Sequence, residues 1–344
     1  MYSRSVRFAF ICLLFIGVTF LSGCAETPKE RPKELVTVKV GYIPVLPYAP
    51  LFVAKEKGYF EEEGLNVELV RQPSGADILS LVIAGKLQVG GGAVGAAMYN
   101  AISKGFPVVV VAPLHGQDPD GPAVDPFVIR KDLLEEGIVK DISDLKGRKV
   151  AINSIGVATE FMLNEWLKQG GLTIDDIELV TMPFPQILTA LETGAIDAGL
   201  LPEPLATLAE KKGIAERVMD RYKPGMLTTV LFFNKEWAEK NPDVAERFMI
   251  AYLKAVRDLM LNDGWRSDEN VKIIEKYTKV PADLIKKAVP PYVDPNLEIN
   301  KKSLMEQQFF LLKRGALTYS EPLLIDEIID TSFAEKAVEK LGRI

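Results

Sequence analysis

The chain has 344 residues but only two cysteines, Cys12 and Cys24, and a single histidine, His115. With no cysteine after residue 24, the body has no disulfide and lacks the ligands of a Cys/His zinc site. One histidine also argues against a Ser–His–Asp triad. We therefore expect no catalytic residue, no metal and no cofactor. Because 48% of the residues are hydrophobic, an apolar core can stabilise a fold of this size.

Basic residues are also in deficit. The chain has 41 Lys and Arg against 47 Asp and Glu, a formal charge of −6, and the two signs are interspersed. Binding to nucleic acid needs clustered basic residues that can neutralise phosphates. The charge pattern therefore excludes nucleic acid as the main partner.

The first 24 residues have the pattern of an export signal. Arg4 and Arg7 precede an apolar run at residues 8–21, which is short for a membrane span. The run ends in the sequence LSGC at residues 21–24, which has the form of a bacterial lipobox. We expect a signal peptide at 1–23, a lipid on Cys24, and a flexible tether at 24–35. The protein would then be exported and lipid-anchored on the periplasmic or cell-surface side of a bacterial membrane. An ordinary secretory signal with a chance cysteine is the alternative.

Short β-rich runs alternate with amphipathic helical stretches through the rest of the chain, which predicts an α/β fold with mostly parallel sheets flanked by helices. A polar stretch without periodicity at residues 115–126 interrupts the pattern, which then restarts. Beyond residue 237 the chain is mainly helical. We predict lobe 1 at 36–125, lobe 2 at 126–230, and a C-terminal part at 231–344, with a ligand cleft between the lobes.

Ligands of parallel α/β sheets bind beyond the carboxyl ends of the strands, beside helix N-termini. Seven short loops rich in Gly, Pro or Ser follow predicted strands at these positions. The candidate ligand-binding residues on them are Leu46, Tyr48, Ser74, Gly75, Gly92, Ala93, Val94, His115, Gln117, Ser154, Gly156, Thr159, Phe184 and Glu203.

Several of these residues have alternative roles. Tyr48 and Phe184 are candidates for a stacking site or for core packing. His115 is a ligand donor, a proton carrier or an ordinary loop residue. Glu203, between two prolines, either accepts hydrogen bonds from a ligand or caps the following helix.

The run of glycines at residues 90–92 matches G-x-G-x-x-G together with Gly95. A dinucleotide site also needs an acidic residue after the next strand, and that strand ends in Ala112 and Pro113. We therefore reject a dinucleotide site and infer that the glycines let a helix end approach a ligand or the opposite lobe.

The sequence LFVAKEKGYFEEEGLNVE at residues 51–68 resembles ABC-transporter solute-binding proteins of the nitrate/sulfonate/taurine and thiamine-pyrimidine-precursor group. The resemblance continues at residues 81–90, 144–151, 191–198 and 238–242, and Gln88 replaces the Asp common in that pattern.

The resemblance implies a type II periplasmic binding protein fold, with hinges near residues 118–130 and 226–235. It also implies that the C-terminal helices return to the first lobe. As a partner it implies an ABC permease with its ATPase, to which a monomer delivers one small molecule.

The loops contain no Lys or Arg, which favours a neutral or cationic heteroaromatic ligand such as a thiamine pyrimidine precursor or riboflavin. The alternative ligand is a small anion such as an alkanesulfonate, taurine or nitrate, held at helix N-termini. Less favoured functions are a thiamine-pyrimidine synthase-like enzyme and a sensor or interaction lipoprotein.

Overall fold

The computed structural model of the chain describes residues 35–218 and 223–344. The signal peptide, Cys24 and nearly all of the tether lie outside these residues, so their assignment stays a prediction. No helix in the described ranges has the length and apolar composition needed to cross a membrane.

Ten strands form two five-stranded sheets within the described residues. In chain order they are β1 (Val36–Tyr42), β2 (Leu65–Arg71), β3 (Val89–Ala93), β4 (Val108–Gly116), β5 (Phe127–Arg130), β6 (Lys149–Ile152), β7 (Glu178–Thr181), β8 (Ala198–Leu200), β9 (Ala215–Arg217) and β10 (Leu227–Asn234).

The helices lie between and after these strands. They are α1 (Ala49–Glu56), α2 (Tyr59–Glu62), α3 (Gly75–Ile83), α4 (Ala96–Ser103), α5 (Lys131–Glu135), α6 (Ala158–Leu167), α7 (Phe184–Glu192), α8 (Leu205–Lys211), α9 (Lys235–Lys240), α10 (Pro242–Met260), α11 (Asp268–Thr278), α12 (Ala282–Lys287), α13 (Lys301–Lys313), α14 (Ile325–Ile328) and α15 (Ser332–Leu341).

The two sheets share one topology, which confirms the expected two-lobed α/β architecture. The first has the order β2-β1-β3-β10-β4 and the second β7-β6-β8-β5-β9. In each sheet one strand, β10 or β5, runs antiparallel to both of its neighbours. The chain therefore crosses from the first sheet to the second after β4 and returns before β10. Residues 227–230, which the sequence pattern assigned to lobe 2, pair with the first sheet, and the other lobe bounds stay a prediction.

Burial explains the most regular of these elements. Every residue of β4, which begins with four valines and ends at Gly116, is buried. Such continuous apolar strands are typical of sheets covered on both faces. Helix α10 begins with Pro242 in its first turn, and its apolar face packs on α1, α2 and α15. The C-terminal helices thus complete the first lobe.

Candidate ligand site between the lobes

The two lobes touch where the carboxyl ends of β3 and β6 meet. The N–H of Ala96 donates to the carbonyl oxygen of Gly156 at 2.8 Å, and the N–H of Ala158 donates to that of Val94 at 2.9 Å. These bonds form an isolated antiparallel bridge between Gly95 and Val157. The structure therefore brings the predicted residues Val94 and Gly156 together across the lobes.

Helix α3 begins against the same strand end. A Cβ atom on Gly75 would lie 3.3 Å from the Cα of Gly92, so the helix N-terminus and β3 are packed backbone to backbone. Ser74 caps α3, because its hydroxyl accepts a hydrogen bond from the N–H of Asp77 at 3.2 Å. A glycine at position 75 is thus explained by the close approach of the helix end to β3.

Around this contact the predicted residues differ in accessibility. Ala93 and Ser154 are exposed, whereas Ser74 and Phe184 are half-buried. Thr159 is buried, and its hydroxyl donates to Asn153 Oδ1 at 2.6 Å. Exposed and half-buried residues are the ones that a ligand can reach without repacking the core.

Helix α7, which begins at Phe184, has no side-chain cap and no acidic residue in its first turn. Its N-cap is Pro183, which follows β7 at the carboxyl edge of the second sheet. Pro185 has no N–H, and the N–H of Gln186 donates to the carbonyl oxygen of Pro183 at 2.8 Å. The N–H of Phe184 is therefore the donor that this helix start offers to an anionic or polar atom.

Leu46 and Tyr48 lie in the core of the first lobe, with exposed fractions of 1% and 2%. The phenol of Tyr48 donates to the carbonyl oxygen of Gly91 at 2.8 Å, and burial raises its pKa. A Cβ on Gly91 would lie 3.0 Å from the Tyr48 ring. The ring is therefore packed on β3 and does not offer a stacking face, which corrects the expectation for these two residues.

His115 and Gln117 lie at the start of the first crossing between the sheets and are both 2% exposed. The amide of Gln117 donates to Asp125 Oδ2 at 3.0 Å, and His115 Nε2 is 3.3 Å from the same oxygen. The hydroxyl of Thr228, on the returning strand β10, also donates to this carboxylate at 3.3 Å. This buried cluster fastens the two crossing segments together and is not an open ligand surface, contrary to the expectation for His115 and Gln117.

The pKa of His115 is lowered because burial disfavours its charged form, although Asp125 opposes the shift. The unfolded chain therefore binds this proton more readily than the folded chain. Above pH 6.5 the contribution to stability is fully present, and it is lost as the pH falls below that value.

We accordingly expect the imidazole of His115, which is unique in the chain, to titrate below pH 6.5 in NMR spectra of the folded protein. For each pH unit by which the pKa of His115 is lower in the folded chain than in the unfolded chain, about 1.4 kcal/mol of stability is lost at acid pH. His115→Gln should lose less stability than the wild type between pH 7 and pH 5. An imidazole that titrates at or above 6.5 would contradict this assignment.

Glu203 is the centre of a second buried polar cluster. Its side chain has no exposed surface and pairs with Arg217 at 2.7 Å. It also accepts hydrogen bonds from the Thr207 hydroxyl at 3.0 Å and from the N–H of Val289, after α12, at 3.1 Å. Of its two alternative roles, a capping and bridging function therefore fits the geometry, because its oxygens are occupied by protein donors.

One residue that the sequence analysis missed is Glu160, in the first turn of α6. Its Oε2 accepts from the N–H of Gly156 at 2.7 Å, and its Oε1 accepts from Arg314 Nε at 3.0 Å. A glutamate near the start of a helix is a known capping signal, which could have identified the first contact. The second contact joins residues 154 positions apart in sequence.

Two matched lobes that meet at the carboxyl ends of their parallel strands define a two-lobed α/β binding-protein fold. Solved periplasmic binding proteins share it. The aliphatic sulphonate-binding protein SsuA of Escherichia coli superposes with a TM-score of 0.71 at 18% identity, over 86% of this chain and 92% of its own. The nitrate-binding protein NrtA of Synechocystis superposes with a TM-score of 0.70 at 19% identity, over 90% of each chain.

A model of the NMT1-like family matches residues 31–274, and the chain belongs to this family. It is 27% identical over 288 residues to the nitrate/nitrite binding protein NrtA of Nostoc, across 77% of this chain and 62% of NrtA. It is 26% identical over 349 residues to an aliphatic sulfonates-binding protein of Bacillus subtilis, across 95% of this chain and 96% of that one. A yeast pyrimidine phosphate synthase, THI13, is 28% identical over 246 residues, across 67% of this chain and 68% of its own. The resemblance inferred from the motifs is thereby confirmed.

Proposed function

We propose that this protein is the substrate-binding component of an ABC importer and that it binds a small anion between its lobes. The observation that carries the proposal is the meeting of the two carboxyl edges at Gly95 and Val157. Membership of the NMT1-like family and the similarity to nitrate- and sulfonate-binding proteins support it. The permease and its ATPase are the proposed partners, and a lipid on Cys24 would keep the monomer near them.

The ligand class follows from which groups remain free at the cleft. The heteroaromatic preference rested on the absence of Lys and Arg from the loops and on the aromatic, polar and acidic side chains that they carry. Four of those side chains are buried and contact protein groups, namely Tyr48, His115, Gln117 and Glu203. The other two, Phe184 and Asp118, are half-buried. The N–H of Phe184 at the start of α7 and the exposed residues Ser154 and Ile155 before α6 offer backbone donors, which suit an anion.

A ligand panel tests this proposal on the full chain by thermal shift and calorimetry. We expect stabilisation by nitrate, bicarbonate or ethanesulfonate, and none by 4-amino-5-hydroxymethyl-2-methylpyrimidine or riboflavin. A ligand present at 100 times its Kd stabilises the folded state by about 2.7 kcal/mol, which is readily detected. Stabilisation by a heterocycle alone would restore the heteroaromatic preference.

A charge placed on the cleft loop sharpens the test. Ile155 is 57% exposed in the loop between β6 and α6, next to Gly156. Ile155→Asp should weaken anion binding about tenfold, because like charges a few ångströms apart repel by about 1 kcal/mol or more. Ile138 is 43% exposed and follows α5, at the opposite edge of the sheet, so Ile138→Asp is the matched control.

A synthase is the second candidate function, because the relative THI13 carries that name. The chain's single histidine argues against it, since His115 is buried beside Asp125 at 2% exposure. Turnover of a pyrimidine precursor by the purified protein would favour the enzyme over the binding protein.

A further inference from the structure

The hydrogen bonds of the interlobe contact at Gly95 and Val157 join backbone atoms. A Cβ atom on Gly95 would lie 2.7 Å from the carbonyl oxygen of Gly156 and 3.1 Å from the Cα of Val157. Neither neighbour is a flexible side chain that can move aside. The two lobes can therefore approach this closely only because position 95 carries no side chain.

The loop that makes this contact is held from both sides by one carboxylate. Glu160 has no exposed surface, and it joins the N–H of Gly156 to the guanidinium of Arg314, which follows α13 in the first lobe. Gly156 itself has a positive φ of 78°, which a glycine adopts without strain. The same carboxylate thus fixes the loop of one lobe and binds a cation of the other.

Neighbouring contacts join the same two helices. The ring of Phe161 on α6 lies 5.5 Å from that of Phe310 on α13. Lys223 pairs with Glu165 of α6 at 3.0 Å and with Glu306 of α13 at 2.9 Å. The side chains of Lys223 and Glu306 are 29% and 34% exposed, so solvent screens this ion pair more than the pair at Glu160.

We propose that Glu160 and Arg314 are positioning residues that hold the lobes in the arrangement where the carboxyl ends of β3 and β6 meet. Together with the Gly95–Val157 bridge they form what we term the interlobe clasp. The clasp stabilises the arrangement with the two lobes in contact before any ligand binds. Less of the ligand's binding free energy is then needed to bring the lobes together. This deepens the proposed function, since the clasp borders the same ligand site.

Hydrogen exchange of the ligand-free full chain measures the clasp directly. The N–H groups of Ala96 and Ala158 donate across the lobes, so their exchange reports opening of the clasp. Arg314→Gln leaves the buried Glu160 carboxylate unpaired, and we expect exchange at these two amides to rise at least tenfold. Gly95→Ala should raise it similarly, because the added Cβ separates the backbones.

Further variants separate positioning from a loss of overall stability. Arg314→Lys keeps the charge and should restore part of the protection. The double variant Glu160→Gln with Arg314→Gln leaves no unpaired charge and should exchange more slowly than Arg314→Gln alone. Lys240→Gln is the matched control. Lys240 pairs with Glu236 on the surface and its side chain is 73% exposed, so this variant should leave exchange at Ala96 and Ala158 unchanged.

Unchanged exchange at Ala96 and Ala158 in Arg314→Gln would overturn the proposal. So would an equal rise at the amides of β1 and β6, because that pattern reports global destabilisation. No ligand is present in the experiment, so its outcome is independent of the ligand panel. If no anion binds but exchange at Ala96 and Ala158 rises in Arg314→Gln, the proposed anion is wrong and the proposed role of the clasp is supported.

Discussion

Arg217→Ala is expected to lower the free energy of unfolding by about 3–5 kcal/mol, because it leaves a buried carboxylate without its partner. Glu203 has no exposed side-chain surface, and Arg217 is only 11% exposed. The guanidinium also binds Glu210 at 3.0 Å and the Thr207 hydroxyl at 2.9 Å, so the substitution removes several charged contacts at once. Urea unfolding at pH 7 measures the change.

The control for this prediction is the double variant Glu203→Gln with Arg217→Met. Replacing both members of a buried pair removes the unpaired charge, so this variant should be more stable than Arg217→Ala. If Arg217→Ala costs less than about 1 kcal/mol, Glu203 does not depend on Arg217. In that case its carboxylate would again be a candidate for ligand binding.

Glu203 illustrates why the sequence predicted the positions of the loops better than the contacts of the side chains on them. The position of a loop at the carboxyl end of a strand follows from local periodicity and from the parallel arrangement of the sheet. The partner of a side chain depends on residues distant in sequence. Glu203 contacts Val289, and Tyr48 contacts Gly91 across 43 positions, so neither contact has a local signature.

The fold shows the same division between local and distant information. The buried run of valines in β4 and the amphipathic pattern of α10 are local, and both elements were predictable. The residues of β10 form an apolar run that is typical of a strand. Nothing within that run indicates that the strand lies antiparallel between β3 and β4. Strand order depends on chain crossings, which residue patterns do not encode.

Local and distant information both bear on α6, which follows Gly156 and carries Glu160 in its first turn and Trp166 near its end. Trp166 has no exposed surface, and its indole stacks on Phe127 of β5 at 4.3 Å with an interplanar angle of 7°. The helical pattern around Trp166 does not by itself identify what the side chain packs on. The structure identifies it as the side chain that seats α6 on the second sheet.

Trp166→Ala is accordingly expected to lower the free energy of unfolding by about 3–5 kcal/mol, the usual cost of removing a large buried aromatic side chain. The loss combines the burial of the indole with a cavity between α6 and β5 that the surrounding residues cannot fill. Because α6 carries the interlobe clasp, the variant should also raise exchange at Ala158. Chemical unfolding and hydrogen exchange of the full chain measure the two effects.

Trp166→Phe separates packing from hydrogen bonding. Among the described residues the indole Nε1 of Trp166 has no hydrogen-bond partner, so phenylalanine loses buried area but no hydrogen bond. The remaining ring can still stack on Phe127, and we expect less than half the destabilisation of Trp166→Ala. Equal losses in the two variants would contradict a role based on packing. They would instead indicate that the indole N–H binds a group that phenylalanine cannot replace.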